Sequence, residues 1–170
     1  ASISLIHEEL YQGEKTDTLN FSLYLRRLTE NLFQTYSLGN SDISLKINLE
    51  EDVFFDMDTA VPLGIIVNEL VSNSLKYAFP NTNTGEIQIK LFGNRLSNDK
   101  EDLSKKGNKY TLTVSDNGVG IPKNIDFDNS GTLGLQLVNT LAEQLDGEIE
   151  LKRDYGTEYI LKFGTEEIEN

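Results

Sequence analysis

The chain of 170 residues contains no cysteine and one histidine, and it has no long apolar run. The absence of cysteine excludes disulfides and thiolate metal sites, and a single histidine argues against a histidine-rich transition-metal site. Without a stretch of about 18 apolar residues, no membrane-spanning helix is expected. The first residues also lack the basic region and apolar run of a signal peptide, so we expect the domain to be cytoplasmic. A length of 170 residues fits one domain with its own core.

Basic residues are scarce too, because 15 lysines and arginines stand against 28 aspartates and glutamates, for a net charge of −13. Nonspecific binding to nucleic acid or anionic lipid needs a basic face, so this charge disfavours both. A phosphate ligand would also be repelled at long range. It would need Mg²⁺, backbone N–H donors and a few placed cations to bind here.

Hydrophobic periodicity predicts an α+β sandwich, with helices on one face of a mostly antiparallel sheet. The predicted helices are residues 1 to about 15 (the end of a longer helix), a helix that is capped by Asn20 and ended by Gly39, a helix that is capped by Asp58 or Thr59 with Pro62 in its first turn and Pro80 after its end, and Leu133 to Leu145 with Leu137, Leu141 and Leu145 in one row. The predicted strands are 43–49, 53–55, 87–91, 110–114, and a hairpin of 149–151 and 159–163 around Gly156. Residues 94–108 are expected to form a mobile hairpin loop, and 117–131 a long loop.

The most informative segment is residues 68–77, which read NELVSNSLKY. At about 100° per residue, Glu69, Asn73 and Lys76 lie on one narrow arc of a helix, opposite an apolar stripe. An asparagine oxygen suits Mg²⁺, a glutamate one turn earlier can hold a metal-bound water or act as a general base, and lysine can reach phosphate. An ordinary amphipathic helix with a solvated polar face would give the same pattern.

Two glycine-containing segments follow in order. Residues 114–122, VSDNGVGIP, end a strand, where the Asp116 carboxylate can accept a hydrogen bond from an exocyclic amine such as that of adenine. Residues 130–135, SGTLGL, lead into a helix whose free N–H groups can bind phosphate. A surface turn and a helix cap explain either segment alone. The three segments in this order favour a site for ATP and Mg²⁺.

This order of motifs resembles the ATP-binding (Bergerat) domain shared by sensor histidine kinases, gyrase-type topoisomerases, MutL repair proteins and heat-shock chaperone ATPases. It is most similar to a subgroup of sensor histidine kinases with LIHExLY before the domain and NELVSNxLK within it, found here at residues 5–11 and 68–76. The resemblance implies the end of a dimerisation and phosphoacceptor region over residues 1–19, an ATP-binding catalytic domain over 20–164, and a frayed tail over 165–170.

The resemblance also implies roles for single residues. Asn73 would be the principal Mg²⁺ ligand, Glu69 would take the place of a second asparagine or of the general base of the gyrase type, and Lys76 would contact phosphate. The implied nucleotide-binding residues are Tyr77, Asp116, Gly118, Gly120 and Ile121 around the adenine, and Leu133, Gly134 and Leu135, with weaker matches at Ser130, Gly131 and Thr132, near the phosphates. Phe127 would match the lid aromatic, and Gly156 and Thr157 a structural strand motif.

His7 is expected to be structural, because the phosphoacceptor of this subgroup lies in a His-Arg-x-x-Asn-Asn motif that the chain lacks. The leading prediction is thus a histidine kinase catalytic domain that passes the ATP γ-phosphoryl to a histidine on a helix outside this chain. Its expected partners are a response regulator and a second copy of the full-length protein. Two alternatives stay open: a gyrase-type ATPase with Glu69 activating water, and a nucleotide-dependent interaction module or anti-sigma-like serine kinase.

Overall fold

A computed structural model of the protein describes residues 18–36, 42–79, 84–94, 107–120 and 133–166. The elements in these segments are β1 (Thr18–Asn20), α1 (Phe21–Tyr36), β2 (Asp42–Leu49), β3 (Phe54–Asp56), α2 (Met57–Tyr77), β4 (Thr84–Asn94), β5 (Gly107–Asp116), α3 (Leu133–Gln144), β6 (Glu148–Lys152) and β7 (Thr157–Glu166). None of these helices is long and apolar enough to cross a membrane.

Within the described residues the main sheet has five strands in the order β2-β4-β5-β7-β6, and β1 pairs with β3 in a separate two-stranded sheet. Among these described strands of the main sheet, only the β2–β4 pair is parallel. Ile87, Ile89 and Leu91 of β4 are buried, whereas the residues between them are half-buried. This alternation places one apolar face under the helices. The predicted α+β sandwich with a mostly antiparallel sheet is confirmed.

The N-cap of α1 is the predicted residue, whereas that of α2 is not. Asn20 is the cap of α1, because its Oδ1 accepts a hydrogen bond from the Leu23 amide at 3.2 Å. The predicted cap of α2 at Asp58 or Thr59 is wrong. Asp56, in extended conformation at the end of β3, accepts from the Thr59 amide at 2.9 Å. Since α2 begins at Met57, Pro62 lies in its second turn and not in the first.

Two predicted boundaries and one predicted helix face also differ. Strands β4 and β5 extend into the predicted 94–108 loop, since Asn94 pairs with Lys109. Strand β7 continues through Thr165, which pairs with Asn108 and therefore does not belong to a frayed tail. On α3, Leu137 is exposed and Leu135, Val138, Leu141 and Ala142 are buried. The predictions for residues 1–17, Gly39, Pro80 and 121–132 lie outside the described residues.

An aromatic cluster fills the core at one end of the β5–β7 pair. The rings of Tyr110 and Phe163 stack at 5.7 Å between centroids, and Phe55 meets Tyr110 edge-on at 4.9 Å. Phe21 extends the group, with its centroid 5.2 Å from that of Phe55. These four residues, called the aromatic cluster below, join α1 and β3 to the sheet through apolar contacts.

Candidate functional site

A cavity of about 570 Å³ opens between α2, the start of α3 and the ends of β5 and β7. Its size is typical of a site for a small molecule or cofactor. The residues that line it are Glu69, Leu70, Asn73, Ser74, Tyr77, Ala78, Asp116, Val119, Gly120, Gly134, Leu135, Thr157 and Tyr159. All three sequence segments singled out above therefore contribute to one cavity.

The Asp116 carboxylate is the most buried charged group that lines this cavity, with 7% of the residue exposed. Ser74 Oγ donates to its Oδ2 at 2.7 Å, and the Gly118 amide donates to its Oδ1 at 3.0 Å. The Thr157 amide donates a further hydrogen bond to the carboxylate. Burial raises the pKa of Asp116, while the three hydrogen bonds oppose that rise because they stabilise the charged form.

Two polar residues beside Asp116 are not among the site residues predicted from the sequence. Ser74 lies on the apolar side of α2, and only its hydroxyl among aliphatic neighbours could have signalled a buried partner. Tyr159, on β7, lines the cavity and is 5% exposed. Burial and then the charge of Asp116 raise the pKa of Tyr159, so its phenol stays neutral. Thr157, expected to be structural, also lines the cavity.

The predicted polar arc of α2 divides into two parts. Glu69 and Asn73 are half-buried and line the cavity, as their helical spacing allows. Lys76 is exposed and does not line it. Its Nζ lies 5.3 Å from the centroid of the Tyr36 ring at the end of α1. Tyr77 does line the cavity and is 69% exposed, so it belongs to the open mouth.

The turn after β5 is held by two neighbouring elements. Asn117 Oδ1 accepts from the Glu86 amide of β4 at 2.8 Å, and the Val119 amide donates to the Ala78 carbonyl at the end of α2 at 2.8 Å. A Cβ atom on Gly118 would lie 2.2 Å from that carbonyl oxygen, so only glycine allows this approach. Gly120 lines the cavity, whereas Gly118 packs behind it against α2.

The second glycine segment meets α2 at the start of α3. Gly134 and Leu135 line the cavity, and a Cβ atom on Gly134 would lie 2.6 Å from Glu69 Oε2. Leu133 is the first residue of α3. The predicted contacts of Ile121 and Thr132, and the positions of Phe127, Ser130 and Gly131, lie outside the described residues.

The side-chain oxygens of Asn73 and Glu69 are donors of the type that a magnesium ion would accept beside a phosphate group. Within the described segments, no three histidine, aspartate or glutamate side chains form a ready-made metal cage. Mg²⁺ does not need one, because it keeps several waters and takes one or two protein oxygens beside phosphate. Asn73 and Glu69, one helical turn apart on the cavity wall, supply an amide and a carboxylate oxygen.

Comparison with known families agrees with this geometry. The chain belongs to the family of histidine kinase-, DNA gyrase B-, and HSP90-like ATPases, whose model matches residues 58–167. A second model, described as histidine kinase, matches residues 1–36. Within the wider family the chain is therefore an ATP-binding domain of the sensor histidine kinase type, as the motifs at residues 5–11 and 68–76 predict.

Its relatives are histidine kinases as well. Blue-light-activated histidine kinase 2 of Erythrobacter litoralis is 30% identical over 111 residues, which are 65% of this chain and 29% of that protein. Sensor histidine kinase PdtaS of Mycobacterium tuberculosis is 27% identical over 167 residues, or 95% of this chain and 30% of that protein. The chain thus spans less than a third of the length of these curated relatives.

Solved structures show the same fold. The histidine kinase domain of an Erythrobacter litoralis blue-light-activated histidine kinase superposes with a TM-score of 0.77 at 24% identity, covering 95% of this chain and 70% of that one. The mycobacterial sensor histidine kinase MprB gives a TM-score of 0.60 at 18% identity, covering 89% of this chain and 100% of that one.

Proposed function

We propose that the cavity binds Mg²⁺–ATP with its adenine against Asp116, and that the full-length protein transfers the γ-phosphoryl group to a histidine. The observation that carries this proposal is the buried Asp116 carboxylate, held in place by three hydrogen bonds inside a cavity of nucleotide size. A fixed acceptor in an apolar pocket is suited to an exocyclic amine. Tyr77 and Val119, both exposed at the mouth, supply apolar surface for the ring.

The phosphates would lie toward Asn73, Glu69 and the start of α3. Asn73 would hold Mg²⁺ directly, and Glu69 would hold a metal-bound water or orient the transfer. When bound, Mg²⁺ would neutralise charge on the phosphates, which a chain of net charge −13 needs. Lys76 would then leave the Tyr36 ring and turn toward phosphate, a small step because exposed cation–π contacts contribute only about 0.5–1 kcal/mol.

The acceptor and partners belong to the longer protein. The relatives are named histidine kinases, and this chain spans less than a third of them. We expect a phosphoacceptor histidine on a helix outside the ATP-binding domain, a response regulator that receives the phosphoryl group, and a homodimer of the full-length protein. Phosphoryl transfer would depend on positioning and electrostatics, which Asn73 and Glu69 on α2 and Asp116 on β5 would supply from the lining of one cavity.

Calorimetric titration of the 170-residue chain with ATP, with and without Mg²⁺, tests the binding part, with GTP as the control nucleotide. We expect saturable binding that is selective for ATP and strengthened by Mg²⁺. Asn73→Ala should remove the Mg²⁺-dependent gain, weakening binding about tenfold or more. Asn68→Ala is the matched control, because Asn68 is on the same helix and does not line the cavity.

Absence of ATP binding at millimolar concentration would overturn the proposal for this site. An unchanged Mg²⁺ response in Asn73→Ala would overturn the metal assignment alone. For the transfer step, the full-length protein should incorporate γ-phosphoryl from ATP on a histidine. Steady phosphate release with no phosphorylated histidine would contradict kinase activity and favour Glu69 as a base for water.

A further inference from the structure

We propose that Ser74 is the positioning residue that sets the base selectivity of this site, by holding Asp116 so that one acceptor direction of its carboxylate faces the cavity. This inference rests on the proposed function, since it assigns selectivity within the same ATP site. Ser74 is 6% exposed and lines the cavity beside Asp116. Its bond joins α2 to β5 across 42 residues of sequence.

Ser74 matters because it uses one of the few hydrogen-bond acceptor directions of the Asp116 carboxylate. An ionised carboxylate has about four acceptor directions. Ser74 Oγ uses one on Oδ2, and the amides of Gly118 and Thr157 use two more. One direction is left for a ligand, and a base that offers an amine there is favoured over one that offers a carbonyl oxygen. Of the three donors, only that of Ser74 belongs to a side chain.

The direction of the Ser74 hydroxyl differs from that of four other helical hydroxyls in the described residues. A helical serine or threonine often donates to the backbone carbonyl one turn earlier. Four others do so here: Thr29 to Leu25, Thr35 to Asn31, Ser72 to Glu69, and Thr140 to Gln136. Ser74 instead donates to a carboxylate on the sheet at 2.7 Å, the short distance of a charge-assisted bond. Its hydroxyl therefore serves Asp116 and not the helix.

The charge state of Asp116 supplies a readout that a merely structural serine would not move. Burial raises the pKa of Asp116, and the Ser74 hydrogen bond is the first of the interactions that lower it. Removing the hydroxyl should raise this pKa further. A protonated carboxyl group can donate to a carbonyl oxygen, so selectivity for an amine-bearing base should fall. The other titratable groups lining the cavity are Glu69 and Tyr77 on α2 and Tyr159 on β7.

The test is calorimetric titration with Mg²⁺–ATP and Mg²⁺–GTP between about pH 5 and pH 8. Ser74→Ala should bind ATP about 3- to 10-fold more weakly, with GTP affinity changed less than about twofold. Its ATP affinity should fall with acidification at a higher pH than in the wild type. Ser72→Ala is the matched control, because it removes a buried hydroxyl two residues away that bonds only the backbone of its own helix. Ser74→Thr, which keeps a hydroxyl, should restore the pH profile.

A Ser74→Ala protein with the wild-type ATP-to-GTP ratio and pH profile would overturn the inference while leaving the proposed function intact. A wild-type chain that binds no ATP would instead overturn the proposed function. Should Ser74→Ala fail to fold in thermal unfolding, Ser74→Cys provides the same test, since a thiol is a weak donor of similar size. It should show a smaller shift in the same direction, and no shift at all would contradict the role of Ser74.

Discussion

The two ends of the β5–β7 strand pair have opposite chemistry. At one end Tyr110 pairs with Phe163 within the aromatic cluster, and at the other Asp116 pairs with Thr157 at the floor of the cavity. About 20 Å of strand separates Tyr110 from Asp116 at ~3.4 Å per residue. Burial of rings stabilises the first end, whereas burial of a carboxylate at the second end has a cost that three hydrogen bonds offset only in part. Stability and ligand recognition can therefore be assigned to different ends of the same strands.

The largest effect is expected on the free energy of unfolding, from a change in the aromatic cluster. Phe55→Ala should lower the free energy of unfolding by about 3–5 kcal/mol, because Phe55 is 2% exposed and contacts three other rings. Nucleotide affinity of the protein that remains folded should stay near the wild-type value. Urea unfolding followed by circular dichroism measures the first quantity, and calorimetry the second. Phe54→Ala is the control, since Phe54 is 46% exposed and should cost far less. A Phe55→Ala protein as stable as the wild type would contradict the assignment of stability to the aromatic end of the strand pair.

The second largest effect is expected on ATP affinity, from a change at the cavity end of the strand pair that leaves the fold intact. Asp116→Asn should weaken ATP binding roughly 10- to 100-fold, because an amide is a poorer acceptor and presents donors toward the adenine amine. The free energy of unfolding should change by less than about 1 kcal/mol, since a neutral amide is easier to bury than a carboxylate. Asp154→Asn, at an exposed turn residue that does not line the cavity, is the control. Equal ATP affinity in wild type and Asp116→Asn would refute the adenine role.

The smallest expected effect is a pH dependence of stability caused by the buried Asp116. The pKa of Asp116 in the fold is raised above its ordinary value of 3.8, chiefly by burial. Between these two values the folded protein binds more protons than the unfolded chain, so the contribution of Asp116 to stability is lost as pH rises through the folded pKa. The stability of the wild type should therefore fall relative to Asp116→Asn as pH rises. Urea midpoints of both proteins across this range measure the difference, and a difference that is constant or of opposite slope would contradict an Asp116 pKa that is raised in the fold.

The sequence was a good guide wherever one periodicity decided the outcome. Alternation located the strands, and the helical arc correctly brought Glu69 and Asn73 into one cavity with Asp116. Local rules could not say which tertiary neighbour a side chain would meet. Lys76 is on the predicted polar face but lies over Tyr36, and Asp56 caps α2 because β3 ends in extended conformation beside the helix.

The partner of Ser74 was beyond sequence reasoning for the same reason. A hydroxyl among apolar residues indicates a buried polar contact, but the register between α2 and β5 decides that the contact is Asp116. Gly118 gives the converse case. Its sequence motif suggested a contact with the base, whereas the close approach of the Ala78 carbonyl explains why no side chain fits there.

The contact between the turn after β5 and the end of α2 fixes the distance from that turn to Asn73. The Val119 amide donates a hydrogen bond to the carbonyl of Ala78, the residue that caps α2, and the same helix carries Asn73 about 7.5 Å away along its axis at ~1.5 Å per residue. A displacement of α2 would therefore carry this turn with it. If the proposed site is right, α2 would hold the adenine end and the metal end of a nucleotide at one separation, and the site would select a ligand by its length as well as by its base.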